Sequence, residues 1–446
     1  MDASKYDSID EEILLRPILH TSRWFYIASG ILFAIALFAV WTWYYQIHTG
    51  LGVTGMNRPV FWGVYITNFV FFIGISHAGT LISAILRLCQ AEWRRSITRA
   101  AEVITVLVLF FGVFNIIVDL GRPDRALNVL LHPQFRSPLL WDVTSITTYL
   151  TASTLYLLLP LIPDIAILRD RKVRFHGLYR ILAFGWTGTD KQKHRLEKAI
   201  SVMAILVIPI AISVHTVVSW VFGMTVQPMW HSTIFGPYFV VGAIYSGMAA
   251  LIIAMVIIRK AYHLEGYLKE VHFNNLSKLL LVFTLLWFYF TFTEYLTTFY
   301  GAEPTHMSVF YSKLSGSYAP AFWAMVAFCF VIPMAILTRR RTRTIKGCLV
   351  ASIAITIGMW LERLTIVVPT LINPRLPYPR GTYEPTWVEW SITAGCFAFF
   401  ILLYMGFTKL FPIVSIWETE EGRNKSVAMT TERVQTYLPE DRGVPV

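Results

Sequence analysis

Residues 101–119 read AEVITVLVLFFGVFNIIVD, and this stretch decides what kind of fold the chain can adopt. Apart from Glu102 and Asp119 it carries no charge, and it is long enough for a helix that crosses a membrane, which takes roughly 20 residues. A membrane β-barrel would instead show alternating apolar and polar residues in segments of about ten. The stretch therefore predicts a membrane-spanning α-helix.

Ten such stretches occur along the chain, at 24–45, 60–86, 101–119, 143–162, 199–222, 238–258, 277–300, 320–338, 347–370 and 388–411. The composition agrees, because 55% of the 446 residues are hydrophobic and only 15% are charged. Ordinary soluble domains are about 25% charged. These values exclude a disordered chain, a coiled coil and a disulfide scaffold. They predict an all-α polytopic membrane protein with ten transmembrane helices.

The distribution of lysine and arginine predicts the orientation. If the N-terminus is cytoplasmic, 30 of the 38 Lys and Arg residues lie on the cytoplasmic side and seven on the outer side, with Arg363 inside a span. Cytoplasmic loops of membrane proteins carry such an excess. We therefore expect a multi-pass protein of the inner (cytoplasmic) membrane with both termini cytoplasmic. The net charge of +11 follows from this rule and does not indicate nucleic-acid binding.

A faint internal repeat predicts how the helices are grouped. His77-Ala-Gly79 in span two resembles Tyr245-Ser-Gly247 in span six, and a Pro-x-x-Trp motif opens both span four and span eight. We expect two four-helix bundles plus two extra helices. The expected segments are an N-terminal tail at 1–23, a first bundle at 24–162 with an outer loop at 120–141, an amphipathic cytoplasmic loop at 163–198, a second bundle at 199–338, helices nine and ten at 339–411, and a C-terminal tail at 412–446.

Ionisable side chains within the spans indicate where chemistry takes place. Each costs about 2.5–3.5 kcal/mol on insertion scales and usually marks function. On the predicted topology His77 lies beyond the midplane toward the cytoplasm. Six others fall on the outer side: Asp119, Asp142, His215, Glu294, Glu362 and Arg363.

An outward-facing polar pocket in a charge-poor bundle suits a membrane-soluble redox carrier such as a quinol. Oxidation of a quinol releases two protons, and a carboxylate or histidine at the membrane edge can accept them. We expect Asp119 and Asp142 to accept the protons, with Arg122 holding the carboxylates or a ring oxygen. Trp141 would wall the pocket, and His215 is a further candidate. The expected proton path comprises His77, Glu294, Glu362 and Arg363.

Structural interpretations of the same residues remain open. Asp119 and Asp142 could end helices and pair with Arg122 or Arg136. Glu362 and Arg363 are adjacent, so they should point to different sides and could tie helices together. A solute transporter is a further alternative, although no helix pair is broken by Gly or Pro at matching midplane positions. A purely structural scaffold is another.

Cofactors bound within this chain are not expected. The four cysteines form no C-x-x-C motif, which argues against an iron–sulfur cluster and a covalently attached haem. His77 and His215 are predicted at different depths, which argues against a haem held by two histidines. No metal site is expected.

Several segments together resemble the NrfD/polysulfide-reductase family of quinone-interacting membrane subunits. The likeness spans 24–412 and is greatest to the ActC-type subunit of alternative complex III. The segments are Asp119-Leu-Gly-Arg122-Pro with Ser137-Pro-Leu-Leu-Trp141-Asp142, Ser76-His77-Ala-Gly-Thr80, Gly185-Trp-Thr-Gly-Thr189, Ser213-Val-His215-Thr, and Trp230-His231-Ser-Thr-Ile-Phe-Gly-Pro237.

This resemblance implies a membrane subunit of a respiratory or photosynthetic quinol:acceptor oxidoreductase, with no redox centre of its own. It implies that menaquinol binds non-covalently near the outer face. Electrons would pass through an iron–sulfur subunit docked there to multihaem c-type cytochrome subunits. A paralogous ten-helix subunit and lipids would be further partners. Asp142 matches the family's quinol-site acid, and Asp119 falls where some relatives have histidine.

The charge distribution makes the topology testable. Reporters fused after Val446 and within 163–198 should both report a cytoplasmic location, and a reporter at 301–319 should report the outer side, because positive charge is retained on the cytoplasmic side. Paired alkaline phosphatase and fluorescent protein fusions measure this. A cytoplasmic signal at 301–319 would reverse the map and the face assigned to the quinol site.

Overall fold

The computed structural model describes residues 11–173, 175–376 and 379–424, and regular structure in these residues is entirely helical. Ten helices are long and apolar enough to cross a membrane. They are α1 (Arg23–Thr49), α2 (Val64–Leu88), α3 (Thr98–Asp119), α4 (Pro138–Asp170), α5 (Asp190–Met224), α6 (Phe235–Ala261), α7 (Glu270–Gly301), α8 (Ala319–Leu337), α9 (Ile345–Ile372) and α10 (Trp387–Leu410). Parts of the two predicted tails, 1–10 and 425–446, lie outside the described residues.

All ten predicted spans are confirmed as helices, but several helices extend beyond their apolar segments. Helices α4 and α5 contain 33 and 35 residues. Helix α5 begins early because the Thr189 side chain caps it by accepting a hydrogen bond from the Gln192 backbone N–H. The predicted loop at 163–198 is therefore reduced to the connection between Asp170 and Asp190, which contains a short helix, His176–Leu182.

Helix α2 is interrupted at Ser76, near its middle, between the segments Val64–Ile75 and His77–Leu88. The Ser76 hydroxyl donates to the Ile73 carbonyl at 2.6 Å, a local bond that bends helices. The Ser76 carbonyl accepts hydrogen bonds from Thr105 of α3 at 2.6 Å and Tyr149 of α4 at 3.0 Å. Neighbouring helices thus satisfy the backbone group that the break frees.

Helix α8 contains a short π-helical segment, Ala327–Val331, just before Pro333. Such segments disturb the regular pairing of backbone groups and occur often at functional sites. Here the Cys329 carbonyl accepts a hydrogen bond from the Tyr245 hydroxyl of α6 at 2.7 Å. The irregularity is therefore also tied to a neighbouring helix.

The packing forms two groups of four helices. Helices α2, α3, α4 and α5 pack around one another, and so do α6, α7, α8 and α9. Helices α2 and α6 join the two groups, and α1 packs mainly along α10. The predicted bundles of helices one to four and five to eight are not confirmed. The sequence repeat relates helices that are four apart. The observed groups are related in the same way, because α2 is the first helix of one group and α6 is the first helix of the other.

The described parts of both predicted tails are folded against the helices. The short helix Glu11–Leu19 buries Leu14 and Leu15 and packs on α10. After α10, the backbone N–H groups of Ile416 and Trp417 donate to the Asp164 carboxylate at 3.0 and 3.1 Å. The described parts of both tails are therefore packed on the helices, because apolar and acidic residues in them find partners on the bundle.

The carboxylate of Asp164 also forms a fully buried ion pair with Arg99 of α3. Further along the chain, the Glu418 side chain pairs with Arg87 at 3.0 Å and Arg94 at 3.6 Å. These contacts close the end of the α2–α5 group that is predicted to face the cytoplasm.

A close approach of α10 to α1 makes their pairing testable. A Cβ atom added at Gly395 would overlap Ala39, whereas one at Gly406 of the same helix would meet nothing within 4 Å. We expect Gly395→Ala to destabilise the protein by about 1–3 kcal/mol, the usual cost of overpacking. Gly406→Ala is the matched control and should be neutral or slightly stabilising. Thermal unfolding of the purified protein compares them, and equal midpoints would contradict the pairing.

Candidate functional site

Asp119 ends α3 at the face that carries the α3–α4 loop, which is the predicted outer face. Its Oδ1 is buried and has no hydrogen-bond partner among the described residues. The carboxylate lies close enough to Glu389 of α10 to interact electrostatically. Beside it, Gln46 of α1 donates to the Val118 carbonyl at 3.1 Å and accepts from the Tyr65 hydroxyl at 2.6 Å. Asp119 therefore lies in a polar cluster formed by four helices.

Glu389 is a member of this cluster that the sequence reasoning missed. It is fully buried and accepts hydrogen bonds from the Tyr383 hydroxyl at 2.6 Å and from the backbone N–H groups of Gly55 and Thr386 at 2.7 and 3.0 Å. Burial, and secondarily the nearby Glu389, raises the pKa of Tyr383, so this hydroxyl keeps its proton and donates. The available signal was the Thr386-x-x-Glu389 capping box at the start of α10.

Asp142 lies in the first turns of α4 and is only 5% exposed. Its Oδ1 has no hydrogen-bond partner among the described residues. Trp141 precedes it, is partly exposed, and donates its indole N–H to the Phe135 carbonyl at 2.7 Å. In the described part of the chain no hydrogen bond joins Asp142 to Asp119. The two carboxylates lie at the same end of the bundle.

Arg122 does not hold either carboxylate. Its side chain is 63% exposed and pairs with Asp124, with Nη2 3.0 Å from Oδ2. This corrects the expectation that Arg122 binds Asp119 or Asp142. The physical reason is local, because a carboxylate two residues away in the loop reaches the guanidinium without either group leaving water.

His77 and His215 are in direct contact, with ring centroids 4.0 Å apart and an interplanar angle of 72°. The prediction that they lie at different depths was wrong. Helix α2 begins at Val64 rather than residue 60, so His77 lies at the middle of the helix instead of in its cytoplasmic half. The depth argument against haem therefore fails. The two rings are nevertheless closer than imidazoles that ligate opposite faces of one porphyrin.

The two histidines differ in their hydrogen bonds. His77 Nε2 lies 2.8 Å from the Ala211 carbonyl oxygen, which can only accept, so Nε2 carries the hydrogen. Both ring nitrogens of His215 are buried without partners among the described residues. His215 also lies within electrostatic reach of Arg363. The pair therefore leaves one imidazole free to exchange a proton.

Glu362 and Arg363 of α9 are paired, although they are adjacent in sequence. Arg363 Nη1 lies 3.0 Å from Glu362 Oε2, but without the geometry of a hydrogen bond. Glu362 Oε1 accepts a hydrogen bond from the Trp287 indole at 2.6 Å. The Arg363 guanidinium packs 4.8 Å above the Phe239 ring. The expectation that the two side chains point to different sides is corrected, since the long arginine side chain bends back.

Glu294 of α7 lies nearer the predicted outer face and lines two spaces. One is a small cavity of about 20 Å³ that also borders Tyr238, Lys313 and Glu362. The other is an open vestibule of about 260 Å³ whose polar lining includes His231, Ser232, Glu303 and His306. A cavity of this smaller size can hold one water molecule. Glu294 thus stands between the vestibule and the buried Glu362.

These residues form a series of ionisable side chains from the vestibule to the centre of the protein. The series runs through Glu294, Glu362, Arg363, His215 and His77. It crosses from the α6–α9 group into the α2–α5 group. Carboxylates and imidazoles in such a series can pass protons where water molecules fill the gaps. Among the described residues, no group of three or more His, Cys, Asp or Glu side chains is placed to hold a metal ion.

The chain is similar in sequence to membrane subunits of redox complexes. It is 25% identical to a Halobacterium salinarum protein named provisionally as a membrane subunit of dimethyl sulfoxide reductase, over 86% of this chain and 90% of the relative. It is 22% identical to an Hdr-like menaquinol oxidoreductase integral membrane subunit of Archaeoglobus fulgidus, over 89% and 95%. It is also 22% identical to a menaquinone reductase integral membrane subunit of Nitratidesulfovibrio vulgaris, over 83% and 87%.

A family model also matches this chain over most of its length. The family model described as "Polysulphide reductase, NrfD" matches residues 52–374, which include α2 to α9 and every ionisable residue of the series above. The ten apolar helices agree with a multi-pass membrane protein. The chain belongs to the NrfD family of polysulphide reductase membrane proteins.

Proposed function

We propose that this chain is the quinol-binding membrane subunit of a quinol-oxidising complex of the alternative complex III type, with menaquinol bound near the predicted outer face. The observation that carries the proposal is the pair of buried carboxylate oxygens, on Asp119 and Asp142, that lack partners among the described residues at this end. Burying such a group without a hydrogen bond costs free energy, and a quinol hydroxyl would supply the missing donor. Two relatives named for menaquinol or menaquinone support the choice of substrate.

In this proposal the chain binds the quinol and handles its protons. Oxidation of one quinol yields one quinone, two protons and two electrons. Asp142 accepts a proton from one ring hydroxyl. Asp119 accepts the proton of the second hydroxyl or transfers it to another acceptor. Trp141 borders the flat ring. The two electrons leave to a partner subunit, because we assign no redox centre to this chain.

Replacing Asp142 with Asn tests this function. Asn keeps the shape and hydrogen bonding but removes the base, so we expect assembly to remain intact and quinol oxidation to fall by at least about 10², the usual cost of losing a general base. Assembled complex and turnover per complex are measured separately. Asp170→Asn is the matched control, since Asp170 is an exposed carboxylate that pairs with Arg169 at the other end of the same helix.

Two outcomes would contradict the proposal. Unchanged turnover in a fully assembled Asp142→Asn complex would remove Asp142 from the mechanism and leave Asp119 or His215 as the next candidate. Poor assembly with near-normal turnover in each assembled complex would show a structural role instead.

We also propose that protons move along the series from His77 and His215 through Arg363 and Glu362 to Glu294. The supporting observations are the histidine contact, the Glu362–Arg363 pair and the small polar cavity beside Glu294. In this path Arg363 holds Glu362 and influences His215. A neutral side chain at position 362 is expected to interrupt the path.

The partner subunits follow from the same proposal. An iron–sulfur subunit would dock on the predicted outer face and pass electrons to multihaem c-type cytochromes, beside a paralogous ten-helix subunit. The α3–α4 loop suits such a contact because it exposes apolar side chains next to Arg122, Arg125 and Arg136. The most exposed are Leu127, Leu131 and Phe135, at 64%, 68% and 80%. Large exposed apolar patches usually mark interaction sites.

Docking on this loop can be measured by labelling. A Phe135→Cys variant should react with a membrane-impermeant maleimide when the chain is alone and be protected in the intact complex, because a partner would cover the loop. The native Cys89 is exposed and directly follows α2, at the end of the protein opposite the α3–α4 loop. Its labelling therefore serves as an internal reference. Equal labelling of the introduced thiol in both preparations would contradict docking on the loop.

A further inference from the structure

Lys313 is a buried lysine in the short helix Pro304–Leu314, which connects α7 to α8. The predicted topology counts it among the basic residues of the outer loops. Its side chain is only 4% exposed and enters the protein interior, with Nζ 5.8 Å from the centre of the Tyr295 ring. Lysine is almost never this buried without a specific partner or role.

The surroundings of Lys313 come from four membrane helices. It lines the cavity of about 20 Å³ together with Glu294 and Tyr295 of α7, Glu362 of α9, Tyr238 of α6 and Met325 of α8. The Glu294 carboxylate lies within electrostatic reach of Lys313. His231 lines the vestibule together with Glu294 and lies within its electrostatic reach. Lys313 therefore borders the same small cavity as two acids of the series.

Burial brings the titration of Lys313 into the physiological range. Removal of the ammonium from water lowers the pKa of Lys313 to about 8, and the attraction of Glu294 opposes this shift only in part. An exposed lysine has a pKa of about 10.4. Near pH 8 the side chain is therefore present both as an ammonium and as a neutral amine.

We propose that Lys313 is the proton-exchanging residue at the outer end of the path, where it accepts protons from Glu362 and releases them to the vestibule. This inference rests on the proposed function and adds a residue to it. In the first step the O–H bond of protonated Glu362 breaks and an N–H bond forms on the neutral amine of Lys313, through one water in the cavity. The ammonium then pairs with Glu294. In the second step it loses the proton toward Glu294 and the vestibule, and the amine is restored.

A purely structural role for Lys313 would consist of neutralising Glu294. The two roles differ in what an arginine does at this position. Arginine keeps the positive charge but cannot release its proton in a protein. Histidine can release its proton, with an ordinary pKa of about 6.5. Replacement by arginine therefore separates the charge of Lys313 from its ability to exchange a proton.

The experiment uses the intact complex in proteoliposomes and measures the quinol-driven proton release to the outer side that exceeds the two protons yielded by each quinol, between about pH 6.5 and 9.5, a range chosen to bracket the pKa of Lys313. In the wild type we expect the rate to rise with pH through a step near 8, because the accepting form is the neutral amine. Lys313→Arg should assemble, lose the step and release protons at least about 10² more slowly. Lys313→His should restore part of the rate and move the step below pH 8. Arg380→Gln, which removes an exposed charge at the same face, should match the wild type.

The outcomes separate this inference from the proposed function. If Lys313→Arg keeps the wild-type rate and step, Lys313 is a structural cation and the inference is wrong. Glu362→Gln should interrupt the path whether or not Lys313 takes part. If Glu362→Gln slows proton release and Lys313→Arg does not, only the role of Lys313 fails; if neither does, the path itself fails. If Lys313→Arg does not assemble, an unchanged step in Lys313→His overturns the inference.

Discussion

A polar group inside a membrane protein must find its partner within the protein, because the lipid offers none. Helix α2 shows the consequence most clearly, since every residue from Val64 to Ile75 is buried. The carbonyl freed at its Ser76 break is satisfied by Thr105 and Tyr149, which draws α3 and α4 against α2. Immediately afterwards His77 bonds to the Ala211 carbonyl of α5. One interruption in one helix therefore ties together a group of four.

The same constraint applies to the buried polar atoms that have no hydrogen-bond partner among the described residues. The fully buried Arg99 and Asp164 pair with each other and with backbone groups at the predicted cytoplasmic end. At the opposite end Asp119 and Asp142 each leave one carboxylate oxygen unsatisfied among the described residues. A buried carboxylate oxygen without a hydrogen bond costs free energy, and a ligand that donates to it would remove that cost.

The two groups of helices divide the proposed work. The carboxylates assigned to the quinol lie at the end of the α2–α5 group, whereas Glu294, Lys313, Glu362 and Arg363 belong to the α6–α9 group. His77 contacts His215, and His215 lies within electrostatic reach of Arg363. Ionisable residues of the two groups of helices therefore interact here. In the proposed path, protons cross between the two groups at this contact.

The sequence by itself determined the class of fold, the ten spans and the predicted outer position of Asp119 and Asp142, because these depend on the length and apolarity of local segments. It did not determine that α1 pairs with α10, that His77 touches His215, or that Arg363 bends back to Glu362. Those features depend on where helices begin, on small residues such as Gly395 that allow close approach, and on the conformations of long side chains. Glu389 was not among the expected site residues, and Lys313 was counted as a charge of an outer loop. Only the tertiary structure showed them buried beside other ionisable groups, because burial is decided by residues far away in the chain.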